Sequence, residues 1–147
     1  MTTRTHRHEI LLAATPEEVF ALLTTPSAIR GWWGAARVVL EPREGGIWAA
    51  AWGAREDDPE YVWSATIERF EPGRRLRLGP ARYYARAGGP AVPITTTTEF
   101  TIEARPGGAL LRVEQAGFPI DPAADAHFAA CENGWRATFA AIERRLR

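Results

Sequence analysis

The sequence predicts an α+β protein in which helices cover one face of an antiparallel sheet. Two observations lead to this prediction. The middle of the chain breaks into short alternating stretches separated by Gly, Pro and acidic turns, which is the pattern of consecutive antiparallel strands. The last segment carries apolar residues at helical spacing without interruption, and such a stripe needs a sheet to cover it.

The composition is typical of a soluble globular protein. We expect a single domain over residues 1–147, because this length is usual for one domain. Eighteen acidic residues balance eighteen basic ones, so the net charge favours neither nucleic acid nor an anionic membrane as a partner. No run reaches the roughly 20 apolar residues of a membrane span, and the N-terminus lacks the apolar stretch of a signal peptide. We therefore expect no membrane insertion and a cytoplasmic location.

The first predicted elements are a strand and two short helices. Residues 6–14 alternate loosely and form the strand. Thr15-Pro16-Glu17-Glu18 then supplies an N-cap hydroxyl, a proline at the first helical position and a carboxylate at the third. This capping box begins a helix that runs to about Leu23. The start signal recurs at residues 25–27, and Gly34 ends the second helix.

Six more strands are predicted between residues 35 and 118, which makes about seven with the first. They cover residues 37–41, 47–52, 61–70, 75–84 with a break at Gly79-Pro80, 94–104 and 109–116. The connections at 42–46, 71–73 and 105–108 are turn-like and suit neighbouring antiparallel strands. Two longer loops, at 53–60 and 85–93, are natural rims for a binding site.

The last predicted element is a long helix from Asp121-Pro122 to Leu146. Its apolar residues fall in one stripe at 100° per residue, and this stripe must lie on the sheet. The stripe consists of Phe128, Cys131, Trp135, Phe139, Ile142 and Leu146.

Four sequence motifs in this order resemble a known family. They are IRGWWG at 29–34, LEPREGGIW at 40–48, IERFEPGRRL at 67–76 and ENGW at 132–135. The chain resembles the START-like, or SRPBCC, superfamily, and within it the branch named after the activator of the ninety-kilodalton heat-shock protein ATPase. The resemblance implies the helix-grip fold, a curved antiparallel sheet around the long C-terminal helix, with a cavity between them. Relatives include lipid carriers, polyketide cyclases and a co-chaperone domain, so the resemblance implies no single activity.

Aromatic residues could supply the walls of such a cavity. Trp48 and Trp52 share one strand face, and Tyr61 and Trp63 share a face of the next strand. The alternative is that the aromatic side chains simply fill the core. The residues predicted to bind a ligand are Trp48, Trp52, Tyr61, Trp63, Tyr83, Phe100, Phe128, Glu132 and Trp135.

Glu132 borders the apolar stripe and is the candidate for a catalytic role. A carboxylate that faces an apolar cavity would have a raised pKa and could orient a ligand hydroxyl or act as a general acid or base. The alternative, which the sequence favours, is that Glu132 reaches solvent or pairs with Arg136 four residues on.

His6 and His8 share one strand face at a spacing compatible with a common metal ion. Because the pair is close to the N-terminus and no carboxylate motif of the metal-site type is near it, we expect solvated side chains. We therefore predict no metal and no other cofactor. Cys131, the one cysteine, rules out an internal disulfide, and we expect it to behave as a small hydrophobic residue.

The leading functional hypothesis is a binding protein, and not an enzyme, that holds a small hydrophobic or amphipathic molecule between the sheet and the long helix. Tyr61, Tyr83 or Glu132 would orient one polar end of that molecule. One alternative is a polyketide cyclase- or dehydratase-like enzyme that uses the same cavity. Another is a stress-related interaction module of the co-chaperone type. A homodimer remains open as a further partner state.

Overall fold

The computed structural model describes residues 2–90 and 92–146 and has the predicted α+β architecture. In this part of the chain, eight antiparallel strands form one curved sheet, two short helices follow the first strand, and a long helix follows the last strand. The elements are β1 Thr3–Leu12, α1 Pro16–Thr24, α2 Pro26–Trp33, β2 Arg37–Leu40, β3 Ile47–Trp52, β4 Tyr61–Glu71, β5 Arg75–Leu78, β6 Arg82–Ala85, β7 Thr97–Arg105, β8 Gly108–Pro119, a short 3-10 helix Pro122–Ala124 and α3 Asp125–Arg145.

The sheet contains one strand more than the sequence predicts. The segment predicted as a single strand over 75–84 forms two, β5 and β6, which are separated at the predicted break by the Gly79-Pro80 peptide. Both pair with the long strand β4, β5 along its second half and β6 along its first half. The strand order is β1-β8-β7-β5-β4-β3-β2, with β6 beside β4.

Strand β1 forms the end of the sheet, where it pairs with β8 over nearly its whole length. The register shifts between Arg4 and His6, and Gly117 lies opposite this shift with a φ of 103°. A Cβ at position 117 would lie 2.5 Å from the Thr95 carbonyl oxygen, so the bulge needs glycine. From His6 onward, alternate β1 side chains face the interior.

Helix α1 begins where its capping box predicts. The Thr15 hydroxyl accepts a hydrogen bond from the Glu18 amide at 3.1 Å, and the Glu18 carboxylate accepts one from the Thr15 amide at 3.1 Å. The helix buries Val19, Phe20 and Leu23 against the sheet. Helix α2 begins at its own N-cap, Thr25, whose side chain makes no capping hydrogen bond.

The predicted stripe of α3 faces the sheet, but only its C-terminal part is fully buried. Phe139 and Ile142 belong to the main core, whereas Trp135 and Cys131 are half-buried. The N-terminal end of α3 packs on a second, smaller core around Phe118, which includes Phe128. The two ends of α3 are thus anchored on the sheet, and the middle of the helix lies between these anchors. No helix among the described residues has the length and apolarity needed to cross a membrane.

Replacement of Thr15 by Ala tests the capping box. Because the substitution removes the hydroxyl that binds the Glu18 amide, we expect the free energy of unfolding to fall by about 1 kcal/mol, measured by urea unfolding. Thr25→Ala is the matched control, since Thr25 occupies the same position of α2 without a capping bond, and it should change the stability by less than about 0.5 kcal/mol. Equal losses in both variants would contradict this account of the helix start.

Candidate functional site

A cavity of about 470 Å³ lies between the sheet and the middle of α3. Its volume is within the usual range for a site that binds a small molecule. Strands β3 to β8 contribute to its walls, together with α2 and α3. All six tryptophans of the chain line it, namely Trp32, Trp33, Trp48, Trp52, Trp63 and Trp135.

Five of the tryptophans form one continuous wall around Trp33. The ring centroid of Trp33 lies 4.7 Å from that of Trp52, 5.3 Å from that of Trp48 and 5.9 Å from that of Trp63. Trp48 and Trp63 meet edge to face at 5.3 Å, and Trp32 stacks on Trp33. Such tilted and perpendicular pairs are the favoured geometry of aromatic rings, so the wall is held in place by its own contacts.

Hydrogen bonds to the protein fix three of the indole rings. The Nε1–H groups of Trp32 and Trp48 donate to carbonyl oxygens at the end of α1, at 2.7 and 2.9 Å. The Nε1–H of Trp135 donates to the Oε1 of the buried Gln115 at 2.7 Å, which ties α3 to β8 across the cavity. These bonds satisfy the polar edges of the rings and leave their apolar surfaces for a ligand.

Tyr61 and Tyr83 supply neutral hydroxyl groups to the cavity. Burial raises the pKa of Tyr61 above its ordinary value, and the nearby Tyr83 adds to this effect. Burial also raises the pKa of Tyr83, although hydrogen bonds with Thr96 and Trp63 act in the opposite direction. Both phenols therefore keep their protons at neutral pH. The adjacent Tyr84 points away from the cavity, with half of its surface exposed.

Thr98 adds a polar group that the sequence did not single out. The threonine lines the cavity, and its hydroxyl oxygen is buried without a hydrogen-bond partner among the described residues. A buried hydroxyl without a partner is costly, and a ligand or water that bonds to it would recover that free energy.

His127 and Cys131 lie on the α3 side of the cavity, with Nε2 and Sγ 3.7 Å apart. Burial lowers the pKa of His127 and raises the pKa of the Cys131 thiol to about 11. A nucleophilic cysteine needs a lowered pKa and a thiolate, and this environment has the opposite effect. The pair is neutral at pH 7 and therefore extends the uncharged wall.

The structure brings most of the predicted ligand-binding residues together. Those that line the cavity are Trp48, Trp52, Tyr61, Trp63, Tyr83, Phe100 and Trp135. Trp32 and Trp33 were missed, because the sequence placed them in a short helix whose position relative to the sheet could not be inferred. The sequence feature that could have identified them is the pair of adjacent tryptophans just before Gly34, at the end of that helix.

Phe128 and Glu132 lie outside the cavity, on the side of α3 that faces β1. The Phe128 ring stacks on His6 with a centroid distance of 3.8 Å and meets Phe118 edge to face. Both residues were expected to contact a ligand, Phe128 because it belongs to the apolar stripe and Glu132 because it borders the stripe. The apolar stripe of α3 has two edges. One edge lines the cavity, and the other packs against strand β1.

Glu132 has ionic partners in place of a ligand. Its Oε2 lies 2.7 Å from Nδ1 of His6 and 3.4 Å from Nε2 of His8, and its Oε1 accepts a hydrogen bond from Arg136 at 3.0 Å. Desolvation acts to raise the pKa of Glu132, but the hydrogen bond with His6 and the charges of His8, His6 and Arg136 hold it below its ordinary value. A general acid at neutral pH needs a raised pKa, so the lowered pKa of Glu132 argues against this role. The pairing with Arg136 is the one that the sequence favoured.

The expectation of solvated histidines near the N-terminus is wrong for His6, which is 2% exposed. Strand β1 pairs with β8 on one side and is covered by α3, so its inward side chains are removed from water. Nε2 of His6 donates a hydrogen bond to the Phe128 carbonyl oxygen at 2.8 Å.

The fold and the cavity define the class of this protein. A curved antiparallel sheet that encloses a cavity against a long C-terminal helix is the helix-grip architecture of START-like proteins, a ligand-binding fold. Residues 13–147 match the family model described as activator of Hsp90 ATPase homolog 1-like protein. The chain belongs to this family.

Solved structures of other proteins share the fold. Protein MLL2253 from Mesorhizobium loti is 23% identical with a TM-score of 0.76, and the alignment covers 96% of this chain and 95% of that one. CalU16 from Micromonospora echinospora is 21% identical with a TM-score of 0.67, over 99% of this chain and 74% of that one. DynU16, from the dynemicin biosynthetic locus, is 17% identical with a TM-score of 0.74, over 97% of this chain and 46% of that one. No curated protein matches the chain.

The raised pKa of Cys131 can be tested by its rate of alkylation. A shift from 9.0 to about 11 lowers the thiolate fraction at mildly alkaline pH about a hundredfold, so iodoacetamide should react about a hundredfold more slowly with the native protein than with the protein in urea. The chain has one cysteine, so the mass increase of the intact protein measures this reaction alone. Native and unfolded rates within a few-fold of each other would contradict the buried, neutral environment.

Proposed function

We propose that the protein binds a small, uncharged, hydrophobic or amphipathic molecule in the cavity between the sheet and α3. The observation that carries the proposal is the convergence of all six tryptophans on one cavity of about 470 Å³. Removal of apolar ligand surface from water would supply the driving force. Flat aromatic ligands fit such a wall well, because ring faces and edges are both presented to them.

The lining favours a ligand without charge. Of the described residues that line the cavity, none is Asp, Glu or Arg. Burial holds both phenols, the Cys131 thiol and the His127 imidazole in their neutral forms. An ionised ligand group would be buried without an opposite charge, and its desolvation would oppose binding.

Two of the polar groups that could orient the ligand come from strands of the sheet. Thr98 on β7 has the hydroxyl without a partner, and Tyr83 on β6 has a hydroxyl 3.4 Å from the Thr96 side chain. A few hydroxyls in a mostly apolar site are suited to one carbonyl or hydroxyl group of an amphipathic ligand.

A route for the ligand is proposed at the two long loops. Trp52 and Tyr61 flank the loop 53–60 on either side, and Arg86 directly follows β6. The Arg86 guanidinium pairs with Asp58 at 3.0 Å and with Glu60 at 3.5 Å, so it links the two loops next to this aromatic pair. Such exposed ion pairs are weak and can open at little cost, as a route for a ligand requires.

An enzyme that acts in the same cavity is the second candidate. Its support is the shared fold of DynU16, from the dynemicin biosynthetic locus, and the presence of two half-buried phenols that could polarise a substrate carbonyl. Glu132 would play no part, since it lies outside the cavity. Loss of turnover in Tyr83→Phe with retained ligand binding would favour this candidate.

The co-chaperone alternative is tested by the ATPase rate of the heat-shock protein in the presence of this chain.

Gly134 offers a direct test, because a side chain added there would fill the cavity. The glycine lies on α3 and lines the cavity, and a Cβ at this position would meet no atom of residues 2–90 and 92–146 within 4 Å. Gly134→Leu should weaken the binding of N-phenyl-1-naphthylamine, an uncharged fluorescent probe, by at least about tenfold. The quenching of tryptophan fluorescence by the probe measures its affinity, because all tryptophans line the site.

Gly134→Ala is the matched control. It adds one methyl group, so probe affinity should change by less than about threefold, while the helix gains about 1 kcal/mol of stability. Unchanged probe binding in a folded Gly134→Leu protein would refute the cavity as the binding site.

A further inference from the structure

A second cluster of functional side chains lies between β1 and α3, outside the cavity. His6 and His8 project from β1, and Glu132 projects from α3 toward both of them. One nitrogen from each histidine and one oxygen of the carboxylate all lie within 4.8 Å of one another. None of the three residues lines the ligand cavity. The cluster therefore needs an explanation that the proposed function does not provide.

The hydrogen-bond partners of His6 determine which of its nitrogens is free. Nε2 lies 2.8 Å from the Phe128 carbonyl oxygen, which can only accept, so Nε2 carries a ring hydrogen. Nδ1 then faces the Glu132 carboxylate, whose oxygens are also acceptors. A 2.7 Å separation between Nδ1 and Oε2 requires a shared cation, either a proton on Nδ1 that makes the ring an imidazolium or a metal ion that replaces this proton.

His8 supplies an independent observation. Its side chain is 13% exposed, and its Nε2 is buried without a hydrogen-bond partner among the described residues. This nitrogen lies 3.4 Å from the same Oε2 of Glu132 that contacts His6. Buried imidazole nitrogens normally make a hydrogen bond, and a nitrogen that makes none while it faces a carboxylate oxygen is placed to ligate a metal ion.

We propose that His6 Nδ1, His8 Nε2 and Glu132 Oε2 bind one divalent transition-metal ion of the zinc type. Ligand atoms around tetrahedral zinc lie about 3.4 Å apart, a distance that the His8–Glu132 pair already has, and the His6–Glu132 pair would widen by about 0.7 Å. Two imidazoles select zinc, cobalt, nickel or copper over calcium and magnesium, which prefer oxygen ligands.

The surroundings suit this role. The Phe128 carbonyl orients His6 through its second nitrogen, as carbonyl oxygens do for many metal-bound histidines. Arg136 binds Oε1 of Glu132 and leaves Oε2 for the metal. The other nearby cation, Arg4, lies over the Phe128 ring and pairs with Asp125, so its charge is compensated. Three protein ligands leave a fourth position for water.

Such an ion would join the two ends of the chain. His6 and Glu132 are 126 residues apart, and β1 lies at the end of the sheet, beside β8. A metal bound only in the folded state stabilises the fold by mass action, so its effect should appear as an increase in melting temperature.

The test uses the full chain, first freed of metal with a chelator and then titrated with Zn²⁺ by calorimetry. We expect one ion per chain, and we expect His8→Ala and Glu132→Gln to weaken its binding at least about tenfold. His127→Ala is the matched control, since His127 is the third histidine and lies in the cavity instead. Zn²⁺ should raise the melting temperature of the wild type and of His127→Ala, but not that of His8→Ala.

Circular dichroism shows whether each variant is folded, and His8→Gln replaces His8→Ala if the latter unfolds. A Co²⁺ complex with the absorption bands of tetrahedral coordination would support the ligand set. Two outcomes overturn the proposal: wild type and His8→Ala bind Zn²⁺ equally, as they would at adventitious surface sites, or His127→Ala loses as much affinity as His8→Ala. Neither outcome affects the cavity proposal, which is tested by a different probe and different residues.

Discussion

The position of α3 over the curved sheet is the constraint on which the rest of the structure depends. Phe139 and Ile142 anchor its C-terminal half in the main core, and Phe128 anchors its N-terminal end in a smaller core around Phe118. Between these anchors the helix borders the cavity, and Trp135 reaches across to the sheet, where it bonds to Gln115 and packs on Phe100. The cavity thus lies beside the stretch of α3 between its two anchored ends.

The alternation of side chains along the strands places charged residues on the outer face of the sheet, away from this cavity. Arg75 and Glu99 pair at 2.7 Å, and Arg112 pairs with Glu9 at 3.0 Å, all from strand positions that face away from the helix. Exposed ion pairs of this kind add little stability. Their effect is to keep one face of the sheet in water, which leaves the other face to apolar residues and neutral phenols. The inward charged cluster around Glu132 lies beside the cavity and not within it.

The sequence predicted what depends on local pattern and failed where distant segments meet. The capping box at Thr15 and the strand alternation are local, and both were predicted correctly. Most of the cavity wall was also predicted, because inward positions on strands follow from a period of two. The burial of His6 depends on pairing with a strand more than a hundred positions away, so its neighbourhood alone suggested a solvated terminus. Phe128 and Glu132 were assigned to the cavity because a helical stripe gives a direction but not the element that it contacts.

The most direct test of the account compares two probes that share one aromatic skeleton and differ in charge. N-phenyl-1-naphthylamine is uncharged, and 8-anilino-1-naphthalenesulfonate carries a sulfonate on the same ring system. Titration of each against the tryptophan fluorescence of the native protein should give an affinity at least about tenfold higher for the uncharged probe. The reason is that no cationic side chain is among the described residues that line the cavity, so a buried anion would be unpaired. Equal affinities, or tighter binding of the sulfonate, would contradict a neutral ligand cavity between the sheet and α3.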